Sequence, residues 1–366
     1  MHATSTIAAK DFSPWHARVA LAVFAAATLF FVGVTLSPLK SSFADAADRG
    51  PGDIGLYAAE VERIRDGQSY YDAVAVELRD RGYPTRSPFN WRTPLPVALI
   101  AALPELAMAK VLLGLACVVL VWLAFTFVTD HASLGEGLFA AVLLLGALLP
   151  CMLGELLVMP ELWSGVFVAL SALCLALDRR GWGVACGVVA LFFRELAAPY
   201  VVVCLALALA ERRPRELAGW LLGLAAYGVF YANHLAHVLP RISADDVAHA
   251  SGWIRFGGAG FLISTAQMNA FLLIVPQWVT ALYLGLALVG ATAWRTAAAR
   301  PIGLSIAVYA IAFSIAGHDF NQYWGSMIAP LLCLGVCRAP LQLRRWWRAA
   351  WASFETAQSV TGNSPA

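Results

Sequence analysis

The chain has 366 residues, of which 60% are hydrophobic and 13% are charged, and its mean hydropathy is +0.70. A soluble domain has about a quarter of its residues charged, so this composition excludes a cytosolic enzyme, a secreted domain and a disordered chain. The net charge of +2, from 25 basic and 23 acidic residues, gives no support to nucleic-acid binding. We therefore predict an integral membrane protein.

Apolar segments long enough to enter a bilayer recur along the chain. The first, at residues 19–36, is too long for a signal peptide and has no small-residue cleavage site after it. The longest polar interruption follows, at residues 40–92. Beyond it, apolar segments lie near residues 107–128, 134–149, 162–177, 182–193, 196–210, 217–238, 279–294, 302–316 and 324–336.

Lysine and arginine residues mark the connectors that we expect in the cytoplasm, because short cytoplasmic loops carry an excess of them. They cluster before the first segment and at residues 179–180, 212–215, 295–300 and 338–348. The pattern predicts an all-α, polytopic transmembrane bundle with both termini inside and about ten crossings. Residues 1–340 form its single domain, and residues 341–366 are expected to be a cytoplasmic, amphipathic, basic tail.

Two shorter apolar stretches fit this path only as interfacial or re-entrant helices on the outer face, at residues 94–103 and 257–274. The outer loop at 40–92 is expected to hold two juxtamembrane helices. The first begins at Asp53 and ends at Gly67, and the second spans residues 72–80. The position of Asp53 suits either a helix N-cap or a functional carboxylate at the membrane surface.

A proline-rich, aromatic and basic run at residues 83–94 then excludes an α-helix. Within it, Trp91 and Arg92 lie where lipid headgroups are expected. They fit interfacial anchoring, and they fit equally well the stacking of a sugar on the indole with a phosphate on the guanidinium.

Arg194 and Glu195 interrupt an otherwise apolar stretch. Ionisable residues in such a place are energetically costly and usually face a cavity or a partner. Adjacent residues on a helix point about 100° apart, so we expect each to find a different partner. Glu155, Glu161 and Asp319 are the candidate counter-charges for Arg194, and a structural ion pair remains the alternative to a ligand site.

The polar outer turn at residues 317–324 brings His318, Asp319, Gln322 and Tyr323 together and suits either a pocket wall or a plain interfacial loop. No nucleotide-binding motif occurs. His234 and His237 share a helix face but have no third zinc ligand in the pattern. We predict no metal site and no cofactor, and leave a requirement for a divalent cation open.

Several motifs carry a resemblance to a known family: GQSYYDA at 67–73, RGYPTRSPFNWRTPL at 81–95, FRELAAPY at 193–200 and FNQYWG at 320–325. Together with an aspartate soon after the first span, they resemble the GT-C superfamily of integral-membrane glycosyltransferases. They are most similar to uncharacterised bacterial relatives of the polyprenyl-phosphate-mannose-dependent transferases. The similarity spans roughly residues 15 to 340.

The resemblance implies inverting transfer of a sugar from a polyprenyl-phosphate donor to an acceptor hydroxyl on a glycan, lipid or protein. It implies the inner membrane of a bacterium, with a periplasmic active site. Asp53 is then the catalytic base, and Arg92, Arg194 and His318 bind the donor phosphate. The substrate pocket is expected to include Trp91, Glu155, Glu161, Glu195, Asp319, Gln322 and Tyr323. The superfamily usually has an acidic pair where this chain has Asp53 alone.

Two other classes of function stay open. A transporter or flippase for lipid-linked saccharides predicts polar residues on both membrane faces, whereas the cytoplasmic connectors here are short and basic. A non-catalytic scaffold of the same fold predicts that Asp53 serves only as a helix cap.

Overall fold

A computed structural model of the protein describes residues 13–36, 52–248 and 255–361, with side chains as far as residue 351. Every regular element in these ranges is an α-helix or a 3₁₀ turn, which confirms the all-α prediction. The α-helices are α1 (Pro14–Leu36), α2 (Gly52–Arg65), α3 (Tyr70–Asp80), α4 (Leu95–Ala102), α5 (Leu106–His131), α6 (Leu134–Leu148), α7 (Pro160–Ala176), α8 (Arg180–Phe193), α9 (Ala198–Ala210), α10 (Pro214–Val238), α11 (Gly258–Ala266), α12 (Ala270–Leu273), α13 (Gln277–Ala291), α14 (Arg300–Ile315) and α15 (Ala329–Thr361).

Three helical segments in the described ranges are long and apolar enough to cross a membrane: α1, α5, and α6 extended to Met152. A fourth crossing is possible where the 3₁₀ helix Asp319–Met327 meets α15 at a bend of 68°. The other apolar helices, α7, α8, α9, α13 and α14, have only 13 to 17 residues each. Helices of this kind are typical of a membrane protein, but the number of crossings stays a prediction.

Helix α7 is the centre of the molecule, since all of its residues except Phe167 are buried. It packs against α5, α8, α14 and α15. Pro160 occupies the first turn, where a missing backbone N–H costs nothing. Glu161 follows it, so a carboxylate enters the protein interior at the start of the most buried helix.

The two helices predicted in the 40–92 loop have nearly the predicted bounds, as α2 and α3, although residues 40–51 of that loop lie outside the described residues. Gly67 adopts a φ of +94°, which explains why the chain leaves the first helix there. The short helix predicted at 94–103 is α4, and it packs against α2. The stretch predicted at 257–274 forms α11 and α12, whose break is capped by Asn269.

The last helix differs from the prediction. The apolar segment at 324–336 and the tail at 341–366 were expected to be separate, but α15 runs continuously to Thr361 with Pro340 inside it. The helix continues because one side of the tail stays packed: Trp346 is buried together with Val289 of α13 and contacts α1. Residues 362–366 lie outside the described part of the chain.

Candidate functional site

The C-terminal end of α8 holds the most deeply buried arginine of the described chain. Arg194 follows the last residue of α8 in an extended conformation, with φ −153° and ψ 123°, and is 1% exposed. Pro199, in the first turn of α9, cannot continue α8 as one helix. The chain therefore breaks between α8 and α9, and the guanidinium enters the interior at that break.

Two carboxylates neutralise Arg194. Its Nε lies 2.7 Å from Glu161 Oε1, and its Nη1 donates a hydrogen bond of 2.6 Å to Glu195 Oε1. The contact with Glu161 is not aligned as a hydrogen bond, so it is an ion pair only. The expectation that Arg194 and Glu195 point apart was wrong, because Arg194 is extended rather than helical. Glu161, one of the three candidate counter-charges, is the one in contact.

Arg92 brings a second guanidinium to the same place. Its Nη1 lies 3.7 Å from Glu195 Oε1, so both arginines converge on one carboxylate oxygen. Arg92 Nε donates to the Tyr57 hydroxyl at 3.2 Å, and Nη1 donates to the Phe89 carbonyl at 3.0 Å. The side chain of Arg92 is 17% exposed, against 2% for that of Arg194. Arg92 is therefore the arginine that a ligand can reach.

Asp53 lies in the first turn of α2 and is half-buried. Its Oδ1 accepts a hydrogen bond of 2.8 Å from the Tyr83 hydroxyl. Asp53, Arg92 and Glu161 all lie within electrostatic reach of Tyr57 and of Tyr323. The fold thus gathers the carboxylate of the outer loop, the guanidinium of the proline-rich run and the acid of α7 around two phenols.

Three members of this cluster were not predicted from the sequence: Tyr57, Glu60 and Tyr83. Asp53, Tyr57 and Glu60 follow a helical spacing of four and three residues, which was a readable signal for one polar face. Glu60 is 2% exposed, and its Oε2 has no hydrogen-bond partner within the described ranges. Burial, followed by the nearby Glu77 carboxylate, raises the pKa of Glu60 to about 8. Burial and the charge of Asp53 raise the pKa of Tyr83, so both groups are protonated at neutral pH.

An apolar groove of about 490 Å³ lies between four helices. Its walls come from α4, α5, α7 and α8, and include Leu99, Leu115 and Phe167. The groove also touches Leu95, Trp163 and Phe193. These three residues are within three positions of Arg92, Glu161 and Arg194 in the sequence. Three residues of the groove therefore lie on the same chain segments as the two guanidinium groups and Glu161.

The environment of Trp91 differs from the one expected for a residue on which a sugar stacks. It is 2% exposed, its Nε1 donates to the Thr85 carbonyl at 3.0 Å, and the guanidinium of Arg79 lies 5.9 Å from its ring centre. Its backbone carbonyl accepts from His234 Nε2 at 3.0 Å. This packing does not fit sugar stacking on Trp91; the residue anchors the loop on α10.

The remaining candidates are spread around the site. Glu155 is exposed in the turn before α7. Asp319 lies 3.7 Å from Arg255, with both side chains largely exposed. His318 is buried and stacks on Phe320 at 5.0 Å. Gln322 is buried, and Tyr323 lies within electrostatic reach of Asp53 and Arg92.

In the described ranges, no three His, Cys, Asp or Glu side chains are placed to share a metal ion. No protein-family model, no curated protein and no solved structure matches this chain. The resemblance to the GT-C superfamily therefore stays a prediction, and the argument for function depends on the geometry of the site.

Proposed function

We propose that the protein is an integral-membrane glycosyltransferase that moves a sugar from a polyprenyl-phosphate donor to an acceptor hydroxyl, with inversion at the anomeric carbon. Its place is the bacterial inner membrane, with both termini in the cytoplasm and the active site on the periplasmic face. The observation that carries the proposal is an apolar groove whose lining includes residues close in sequence to Arg92 and Arg194, the two arginines that converge on Glu195.

A polyprenyl phosphate has two parts that need opposite environments, a long hydrocarbon chain and an anionic head. The groove offers the hydrocarbon chain an apolar surface between the helices. Arginine offers the anionic head paired N–H donors that match phosphate geometry. A soluble sugar phosphate needs no such groove, and a neutral acyl lipid needs no arginine pair.

The two arginines differ in side-chain exposure, and we assign them different roles. Arg92 is the phosphate contact, because its side chain is the more exposed of the two. Arg194 is enclosed by Glu161 and Glu195 and acts as a positioning residue. Glu195, whose side chain is 36% exposed, competes with an incoming phosphate for the same donors.

The reaction needs one base and one anion stabiliser. The acceptor oxygen attacks the anomeric carbon, the bond from that carbon to the phosphate oxygen breaks, and the electron pair leaves with the polyprenyl phosphate. Arg92 stabilises the charge that develops on the phosphate. Asp53 takes the acceptor proton, with its carboxylate oriented by the Tyr83 hydroxyl; a positioned base of this kind contributes about 10²–10⁴-fold.

The test combines lipid binding with turnover. Native mass spectrometry of the purified protein should show bound polyprenyl phosphate, and added polyprenyl phosphate should bind far more tightly than the matching free polyprenol. Asp53→Asn should keep lipid binding and lower sugar transfer by about 10²-fold or more. Equal affinity for the phosphate and the alcohol would remove the basis of the proposal. Movement of a lipid-linked saccharide across the bilayer without transfer would instead identify a flippase.

A further inference from the structure

Two peptide carbonyls of the proline-rich run are held by side chains from other helices. The Trp91 carbonyl accepts a hydrogen bond of 3.0 Å from His234 Nε2 on α10, and the Arg92 carbonyl accepts one of 2.7 Å from the Tyr70 hydroxyl on α3. These donors lie 143 and 22 positions away in the sequence. The two peptide groups that meet at the Cα atom of Arg92 are therefore both fixed from outside the run.

Fixing these two peptide groups sets the direction in which the Arg92 side chain leaves the backbone. Each peptide group is planar, so a hydrogen bond to its carbonyl restrains the whole plane, and only φ and ψ of Arg92 relate the two planes. In an α-helix, regular backbone bonds would restrain these angles, but the prolines exclude an α-helix at residues 83–94. The bonds from His234 and Tyr70 take the place of that regular pattern.

His234 is itself held in one orientation, and it is only 1% exposed. Because a carbonyl oxygen only accepts, Nε2 carries the hydrogen, and Nδ1 accepts from the Tyr71 hydroxyl at 3.3 Å. The Tyr71 ring also stacks on His237 at 4.7 Å and meets Tyr70 edge-on at 5.1 Å. Two consecutive tyrosines of α3 thus support both bonds: Tyr70 makes one, and Tyr71 orients the imidazole that makes the other.

The guanidinium end of Arg92 is restrained as well. Nε donates to the Tyr57 hydroxyl and Nη1 donates to the Phe89 carbonyl, whereas Nη2 makes no hydrogen bond to any described residue. The side chain is thus held at both ends, with one nitrogen left to donate to a ligand. Such restraint matters for function, because a binding group has to lie within about 0.5 Å of its productive position.

We propose that Tyr70 and His234 are positioning residues, which hold the backbone of Arg92 so that its guanidinium meets the donor phosphate. The inference rests on the proposed transferase function and extends it to two side chains that act through Arg92. A purely structural role for the same two bonds makes a different prediction: their loss would weaken the protein whether or not Arg92 is present.

The test is a double-mutant cycle, measured as the affinity for polyprenyl phosphate in nanodiscs of phosphatidylethanolamine and phosphatidylglycerol. Tyr70→Phe keeps the ring and removes one donor, and His234→Leu removes the other. Each should weaken polyprenyl phosphate binding about tenfold, the size expected for one lost hydrogen bond, and leave polyprenol binding unchanged. In an Arg92→Ala background neither change should cause a further loss, because a positioning residue acts only through the group that it positions.

Two further variants complete the design. His234→Gln retains an N–H donor near the position of Nε2, so it should restore most of the affinity lost in His234→Leu. Tyr231→Phe is the matched control: it removes a hydroxyl from α10 beside His234, with ring centres 5.8 Å apart, and leaves both carbonyl bonds in place. A thermal melt of each variant separates loss of binding from loss of fold, and Tyr70→Phe completes the cycle alone where His234→Leu does not fold.

Equal losses of polyprenyl phosphate affinity with and without Arg92 would overturn the inference, since the two bonds would then support the loop and not the arginine. Wild-type affinity in both Tyr70→Phe and His234→Leu would overturn it as well, and either result would leave the proposed function in place. A wild type that binds polyprenyl phosphate no more tightly than polyprenol would instead count against the proposed function, and the inference would fall with it.

Discussion

Replacement of Glu60 by glutamine should stabilise the protein, and the gain should grow with pH. Glu60 has a pKa of about 8 in the folded chain, against an ordinary value of 4.5, because it is buried and lies near Glu77. Between these two values the folded state binds a proton that the unfolded state has lost, so its stability falls as pH rises. At pH 7 the cost is about 3 kcal/mol, from a difference of about 2.5 pH units. Above pH 8 it levels off near 5 kcal/mol, for the full shift of about 3.5 units.

The assay is the melting temperature of wild type and Glu60→Gln in one detergent from pH 4.5 to pH 9. The melting temperatures of wild type and Glu60→Gln should be nearly equal at pH 4.5 and should diverge as the pH rises to 8. Above pH 8 their difference should stay constant. Glu62→Gln is the matched control, because Glu62 lies on the same helix but is 68% exposed and pairs with Arg65. Parallel curves for wild type and Glu60→Gln between pH 5 and pH 8 would refute the reasoning.

Three further outcomes are expected. Arg92→Lys should weaken polyprenyl phosphate binding about tenfold while the protein stays folded, because lysine gives a point charge in place of a bidentate pair; isothermal titration measures it. Gly290→Val should lower the melting temperature markedly, since a Cβ at Gly290 would overlap the Gly335 carbonyl where α13 meets α15. A cysteine at exposed Ser69 should react with an impermeant maleimide on intact cells and one at exposed Arg345 should not; the reverse pattern would invert the proposed topology.

Helix positions were largely readable from the sequence, because apolar runs and punctuating residues act locally. The first juxtamembrane helix was expected from Asp53 to Gly67 and runs as α2 from Gly52 to Arg65. The continuity of α15 was not readable. Its arginines and tryptophans suggested a separate surface helix, whereas contacts of Trp346 with distant helices keep the chain helical beyond Pro340.

The site was readable only in part. Arg194 was predicted to belong to the site because an ionisable residue in an apolar stretch is energetically costly and usually faces a cavity or a partner. Its choice of Glu161 over Glu155 depends on how α7 and α8 pack, which no local pattern records. The hydrogen bond between Tyr83 and Asp53 joins residues 30 positions apart, and buried Glu60 is within electrostatic reach of Glu77 and Arg92, which come later in the chain. Contacts of this kind arise from tertiary packing.

The charge balance of the cluster leads to a last prediction. Arg92 and Arg194 face Glu161 and Glu195, so the four groups are formally neutral and offer no excess charge to a phosphate. A phosphate gains the full charge of Arg92 only if the carboxylate beside it withdraws, and Glu195 is 36% exposed whereas Glu161 is 1% exposed. Glu195→Gln should therefore bind polyprenyl phosphate more tightly than wild type. Glu161→Gln should instead lower the melting temperature, because removing one partner of a buried ion pair costs about 3–5 kcal/mol. Titration of both variants with polyprenyl phosphate measures the change in affinity, and thermal melts measure the change in stability. Weaker binding by Glu195→Gln would mean that Glu195 holds the arginines in place and does not compete with the ligand.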